Sequence, residues 1–175
     1  KKDLPIPYVA NTAFIDFGRV KQFKKKVLEK ASKAFHQSAE TDPDYCAFCE
    51  KEAYWLDDYA LFHAAKKEYN GAAWTAWPEE IRHRDPAALA ALAEKQREEI
   101  ELDRFKQYIF HTQWNRLHDY AQSKGIEILG DMPLFIAQDS ADVWAHQQLF
   151  DLYEDGTPRT VAGVPPDYFA AGGQL

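Results

Sequence analysis

The feature of this sequence that most limits its fold is a change of pattern at Gly125. Helical spacing precedes this residue, whereas a short apolar run at 126–129 follows it and leads into Gly130 and Asp131. A helix, a glycine, a short apolar strand and a terminal acidic residue are typical of one αβ unit of a parallel barrel or doubly wound sheet. Because barrel enzymes carry working residues at the C-terminal ends of strands, Asp131 is a candidate functional residue. The alternative is a structural role, in which Asp131 caps or staples the turn at 132–133.

Most of the remaining sequence predicts helices, because apolar residues recur at spacings of three and four. Two Asp-Pro pairs, at 42–43 and 85–86, are helix starts, with the aspartate as N-cap and the proline in the first helical position. The Asn-Gly pair at 70–71 and Gly125 are typical helix ends. The predicted helices are 16–36, 44–50, 53–69, 85–124 with a break near 97–103, and 139–149 with Asp139 or Ser140 as cap. The predicted buried side of the long helix consists of Phe105, Tyr108, Ile109, Trp114, Leu117 and Tyr120.

Composition and charge narrow the functional classes. Of the 175 residues, 46% are hydrophobic, which excludes a chain that is disordered as a whole. The formal net charge of −7 argues against nucleic acid as the main partner, since phosphate binding needs a basic face. No apolar run approaches the roughly 20 residues of a membrane-spanning helix, and no secretory signal is visible. The two cysteines fit a reducing compartment, by default the cytoplasm.

Three sequence motifs invite a functional interpretation beside a structural one. Cys46 and Cys49 form a lone CxxC pair, for which we favour packing on a helix, because no second ligand pair follows and no strand precedes it. We therefore predict no metal and no cofactor. Trp74 and Trp77 are expected to pack in the core or at an interface rather than against sugar rings. The loop at 164–169 combines two prolines with two aromatics, which suits either stacking on sugar or plugging a core.

The ends of the chain predict a piece of a longer protein. The sequence does not begin with methionine, and it stops at 172–175 just after an apolar, proline-rich stretch. A hairpin-like turn is predicted at 154–158, and no closing element follows the proline-rich loop.

Three segments carry a family resemblance. Two of them are GIEILGDMPLFIAQDSADVW at 125–144 and VAGVPPDYF at 161–169, which is followed by a Gly-Gln pair at 173–174. Both closely resemble the 4-α-glucanotransferases, also called amylomaltases or disproportionating enzymes. The third segment, YIFHTQW at 108–114, is similar to the helix before that family's third barrel strand. The resemblance covers nearly the whole chain. One departure is the Ala-Ala-Gly run at 170–172, where the family usually has polar Ser or Thr, and this puts the fine acceptor preference in doubt.

The resemblance implies an α/β fold, namely part of a (β/α)8 barrel of the α-amylase clan with a helical insertion. The chain itself is expected to be mostly α-helical with a few short strands. Residues 1–100 would form the inserted helical subdomain and barrel helices, and 101–175 a barrel αβ unit with a strand near 126–130 and an active-site loop at 163–169. The residues that the resemblance places against substrate are Asp131, which ends the third strand, Pro133, Val164, Pro165, Pro166, Asp167, Tyr168 and Phe169.

The activity implied by the resemblance is transfer of an α-1,4-glucan segment to another glucan, with retention. Retaining chemistry needs two carboxyl groups about 5 to 5.5 Å apart, and the resemblance places that pair beyond Leu175, together with a third, transition-state-stabilising Asp. This chain alone is therefore expected to bind glucan weakly and to catalyse nothing. The expected partner is a maltooligosaccharide or α-glucan, without nucleic acid or membrane, and the open strand edges of an incomplete barrel predict self-association.

Two other functions stay open at this point. One is a related α-glucan hydrolase, and the other is a standalone helical module for sugar binding or protein interaction. The module explains neither the predicted strand that ends at Asp131 nor the abrupt terminus. An incomplete barrel should also expose apolar surface that its missing strands would cover, whereas a complete module should not.

Overall fold

The computed structural model describes residues 14–37, 42–133, 135–160, 163, 165–166, 168 and 171–172. The α-helices in this part of the chain are α1 (Phe17–His36), α2 (Pro43–Glu68), α3 (Glu79–Arg82), α4 (Pro86–Lys95), α5 (Arg97–Ser123) and α6 (Ala141–Ala145). Short 3-10 helices lie at Trp74–Ala76 and Gln147–Leu149. Of the helices described, none is both long and apolar enough to cross a bilayer.

The predicted helix starts are confirmed by their capping hydrogen bonds. Asp42 Oδ1 accepts from two backbone N–H groups of α2, both at 3.0 Å. Asp85 Oδ1 accepts from two backbone N–H groups of α4, at 3.1 and 2.9 Å. At the predicted stop after α2, Asn70 and Gly71 have φ values of 54° and 78°, the left-handed conformation of a helix end. Each signal is read correctly from sequence because it depends on neighbours within one turn.

The core lies where the long helix α2 meets α5, α6 and the loop that follows α2. Its central aromatic rings belong to Phe62, Trp77 and Trp144, whose centroids are 5.3 to 5.9 Å apart. Trp74 and Trp144 have no solvent exposure and Trp77 is 3% exposed. The prediction that Trp74 and Trp77 pack in the core is therefore confirmed.

A polar cluster joins α2 to α5. The Tyr45 hydroxyl donates to Glu101 Oε2 at 3.0 Å, and Arg104 donates to Glu101 Oε1 and to Asp57 Oδ1, both at 2.7 Å. Burial, followed by the nearby Glu101 carboxylate, raises the pKa of Tyr45 above its usual range. The neutral hydroxyl is thus kept as a donor where the first turn of α2 meets α5.

The helix that was predicted in two pieces, 44–50 and 53–69, is one continuous helix. α2 runs from Pro43 to Glu68 without interruption. The bridging residues are Lys51 and Glu52, both of which favour helix. A break in the later helix is confirmed, because α4 ends at Lys95 and α5 begins at Arg97. Its position at Gln96 lies just before the predicted range 97–103.

The strand predicted near 126–130 is not formed. These residues have no regular secondary structure, and Ile126 and Leu129 are 59% and 98% exposed. A strand is held by backbone hydrogen bonds to a neighbouring strand, and the only strand pairing in the described residues is an isolated antiparallel bridge between Leu152 and Pro158. The expectation of a few short strands is therefore wrong for this part of the chain, although the bridge confirms the turn predicted at 154–158.

The predicted buried side of α5 is correct only in its first half. Phe105 is 3% exposed, whereas Trp114, Leu117 and Tyr120 are 41%, 54% and 63% exposed. The helix keeps the apolar spacing of a buried face there, but no described element covers these three side chains. The apolar pattern thus predicts which side is suited to burial without supplying the surface that buries it.

Candidate functional site

Asp131 lies on an exposed, irregular segment that follows α5. Gly125, with φ at +70°, ends the helix and turns the chain into this segment. Asp131 and Pro133 are both exposed, and among the described residues Asp131 has no hydrogen-bond or ion-pair partner. Its carboxylate can therefore accept hydrogen bonds from an incoming ligand.

The proline-rich loop is described only in part. Pro165 and Pro166 are exposed, and the side chain of Tyr168 is 97% exposed. Val164, Asp167 and Phe169, which were also predicted to contact substrate, lie outside the described residues. No described contact joins Asp131 or Pro133 directly to the two prolines.

A joint that sequence reasoning missed anchors both segments to the helical body. We define it by Trp74, Gln138, Asp139 and Gly156. The Trp74 indole N–H donates to the Gln138 carbonyl at 2.8 Å, and Gln138 Nε2 donates to the Gly156 carbonyl at 2.6 Å. The backbone of Gly156 lies against the Trp74 ring so closely that a Cβ atom would come within 2.3 Å of Trp74 Cη2.

Asp139 completes the joint. Its carboxylate accepts from Lys66 Nζ at 2.5 Å and from the backbone N–H of Trp74 at 3.3 Å. The Asp139-or-Ser140 alternative for the cap of α6 is resolved in favour of Ser140, whose hydroxyl accepts from the backbone N–H of Val143. The partners of Asp139 are more than 60 residues away, so nothing in its local sequence distinguishes this role from capping.

The joint limits how far apart the two candidate segments can lie. Asp131 is seven residues before Gln138, and Gly163 is seven residues after Gly156. At about 3.6 Å per extended residue, each of these links reaches at most about 25 Å from the joint. The exposed Asp131 carboxylate and the exposed Tyr168 ring therefore extend from one base, which suits the binding of an extended polar ligand.

The turn before the loop is held by its own polar contacts. Asp155 Oδ1 accepts from the backbone N–H of Thr157 at 2.9 Å and from the Thr157 hydroxyl at 2.6 Å. The hydroxyl, and then the backbone N–H, hold the pKa of Asp155 below its usual range. The ionised carboxylate thus keeps the turn closed at neutral pH.

The two cysteines differ in burial, since Cys46 is exposed and Cys49 is half-buried. The packing predicted for the pair is therefore wrong for Cys46. Cys46 and Cys49 both lie on α2 and are not joined in a disulfide. Burial raises the pKa of the Cys49 thiol, which disfavours the thiolate that metal binding or redox chemistry requires. Across the described ranges, no three His, Cys, Asp or Glu side chains converge in a way that would hold a metal ion.

Comparison with known proteins identifies the family. The model of glycoside hydrolase family 77, described as 4-alpha-glucanotransferase, matches residues 2–175. The chain belongs to this family. A 4-alpha-glucanotransferase of Thermus thermophilus is 44% identical over 162 residues, which cover 91% of this chain and 32% of the relative. The chloroplastic/amyloplastic 4-alpha-glucanotransferase of Oryza sativa subsp. japonica is 36% identical over 178 residues, covering 100% of this chain and 30% of the relative.

A solved 4-alpha-glucanotransferase relative shares the fold of this chain. The amylomaltase of Streptococcus agalactiae, in complex with acarbose, superposes with a TM-score of 0.85 at 37% identity. The match covers 92% of this chain and 32% of that protein. The chain thus spans about a third of the length of the family members it matches.

Proposed function

We propose that this chain is part of an enzyme that transfers α-1,4-glucan segments between maltooligosaccharides with retention. The observation that carries the proposal is the family match across residues 2–175. Relatives from bacteria and plants that bear the name 4-alpha-glucanotransferase support it. The acarbose complex of the Streptococcus agalactiae amylomaltase supports a carbohydrate ligand.

In this proposal, Asp131, Pro133 and the loop at 163–169 contact the glucan. The exposed Asp131 carboxylate would accept hydrogen bonds from sugar hydroxyls. The exposed ring of Tyr168 would stack on the apolar face of a sugar, and the prolines beside it lower the entropy lost on ordering the loop. The joint at Trp74 and Gly156 would hold the two segments close to each other.

The parent fold in this proposal is a (β/α)8 barrel of the α-amylase clan, to which 101–175 contribute an αβ unit and 1–100 the helical insertion. The exposed apolar side chains on the second half of α5 support it, because a barrel helix buries such a face against the sheet. The exposed apolar residues at 126–129 also support it, since strands of a parallel sheet are covered on both sides. We assign the enzyme to the cytoplasm, although the rice relative is named as chloroplastic/amyloplastic.

The proposal includes a catalytic carboxyl pair supplied by segments beyond Leu175. The test is release of glucose from maltotriose by the 175-residue chain and by a version extended to the full gene product. We expect activity only in the longer protein, with glucose and longer oligosaccharides as products. Glucose and maltose alone would identify a hydrolase instead. Turnover by the 175-residue chain would place the pair among Asp131, Asp139, Asp142 and Asp167 and would overturn this assignment.

Variants of the extended protein test the role of Asp131 in the same assay. Asp131→Asn removes a charged acceptor, so we expect kcat/KM to fall about tenfold to a hundredfold. Asp142→Asn is the matched control, because Asp142 is also exposed but lies in the first turn of α6. Equal activities of the two variants would remove Asp131 from the site.

A further inference from the structure

A cleft of about 430 Å³ lies between the first half of α2 and the second half of α5. Its volume falls within the range of about 300 to 1,000 Å³ that is usual for small-molecule sites. None of the residues that the family resemblance placed against substrate lines it. The cleft is therefore a surface for which the proposed active site gives no role.

One wall of the cleft is aromatic. Phe48 is 6% exposed, and its ring centroid lies 5.6 Å from that of Tyr108 and 5.0 Å from that of His111. The wall is held by the same α2–α5 packing that forms the polar cluster at Tyr45. An aromatic wall of this kind suits the C–H face of a sugar ring, which packs on aromatic side chains.

The rim of the cleft has balanced charge. Lys51 and Arg116 contribute two cations, and Asp44 and Asp119 contribute two carboxylates. An anionic ligand would meet the two carboxylates and a cationic ligand the two cations, whereas a neutral ligand can use both sets. Hydroxyl groups both donate and accept hydrogen bonds, so this rim suits a neutral, hydroxyl-rich ligand.

Asn115 adds an oriented amide to this rim. Its side-chain nitrogen lies 2.9 Å from His111 Nε2, so the amide N–H donates to this ring nitrogen in the histidine tautomer that carries its proton on Nδ1. The amide carbonyl oxygen is then the group that can accept from a ligand hydroxyl. The contact fixes the amide in advance, which reduces the entropy lost on binding.

The second half of α5 has two distinct faces. The cleft residues Tyr108, His111 and Asn115 recur at spacings of three and four, as do the exposed apolar residues Phe110, Trp114 and Leu117 on another face. Burial of the apolar face in a larger protein does not itself cover the cleft face. The apolar pattern of α5 is therefore compatible with an accessible cleft.

We propose that this cleft is a second carbohydrate-binding site, which takes one or two hexose rings of a neutral maltooligosaccharide apart from the Asp131 segment. The choice of an α-glucan as the sugar rests on the proposed function. Such a site would hold a long glucan at a second point on the surface of the protein. Holding one chain at two sites raises the effective concentration of substrate without any new contact at the reacting bond.

The test is a calorimetric titration of the 175-residue chain with maltotriose. We expect saturable binding that Asn115→Ala weakens about fivefold to tenfold, since one hydrogen bond to a neutral ligand is lost. Gln113→Ala is the matched control, because this exposed amide lies on the same helix outside the cleft. If Asn115→Ala lowers the thermal unfolding midpoint, Arg116→Ala replaces it as the test variant, and we expect the same weakening of maltotriose binding.

Several outcomes would overturn the inference. These are a lack of saturable binding to maltotriose, equal losses in the Asn115 and Gln113 variants, or tighter binding of glucose 1-phosphate than of maltotriose. If the cleft fails these tests and the extended protein still acts on maltotriose, this inference is refuted and the proposed function is not. If maltotriose binds in the cleft and the extended protein does not act on maltotriose, the proposed function is refuted and this inference is not.

Discussion

At the scale of single residues, the contact between Gly156 and Trp74 sets a steric limit on the joint. Gly156 has φ at +82°, and a Cβ atom there would lie 2.3 Å from Trp74 Cη2. Gly156→Ala should therefore lower the free energy of unfolding by about 2–4 kcal/mol, through backbone strain and overpacking together. Urea denaturation would measure the change. Gly130→Ala is the control, because nothing lies within 4 Å of a Cβ built at that position, and equal effects would contradict the steric account.

Single residues also mark where sequence reasoning stops. The cap at Asp42 is predictable, because its partners are two and three residues away. Asp139 carries an equally good cap signal, yet its carboxylate binds Lys66 and Trp74 across the fold. The two aspartates differ only in what tertiary packing brings to them, which a local pattern does not contain. Asp131 stays a prediction, since its proposed partner is a ligand.

At the scale of elements, the hydrogen bond from Tyr45 to Glu101 helps fix α2 against α5. Tyr45→Phe removes this donor and keeps the ring, so it should lower the free energy of unfolding by about 1 kcal/mol. Tyr54→Phe, at a position on the same helix that is 77% exposed, should change it by less than about 0.5 kcal/mol. Thermal unfolding followed by circular dichroism would compare the two. Equal stabilities would show that Arg104 alone satisfies Glu101.

The elements divide into those that are stable locally and those that need a partner. Helix boundaries at Asp42 and Asp85 follow from caps and proline geometry, so the sequence predicts them. The apolar run at 126–129 has strand propensity, but a strand forms only beside another strand. The same reason explains α5, whose second half has an apolar face without a described surface against it.

At the scale of the whole molecule, the exposed face of α5 predicts self-association of the 175-residue chain. Phe110, Trp114 and Leu117 form an apolar stripe, and such surfaces favour contact between copies. Light scattering should give a mass above 20.1 kDa that rises with concentration. Leu117→Lys should lower that mass, whereas Gln113→Lys, a control on the same helix outside the stripe, should not. A monodisperse monomer would contradict this expectation.

The order in which contacts form follows from the two hydrogen bonds that meet at Gln138. The bond from Gln138 to Gly156 closes a loop of 18 residues, whereas the bond from Trp74 to Gln138 spans 64. Closing a short loop loses less chain entropy than closing a long one, so it happens earlier in folding. We therefore expect the segment from Gln138 to Gly156 to close on itself first and then dock onto Trp74 as a preformed unit. Homologous chains could change the length of this closed loop and still leave the entry and exit of the candidate segments in place.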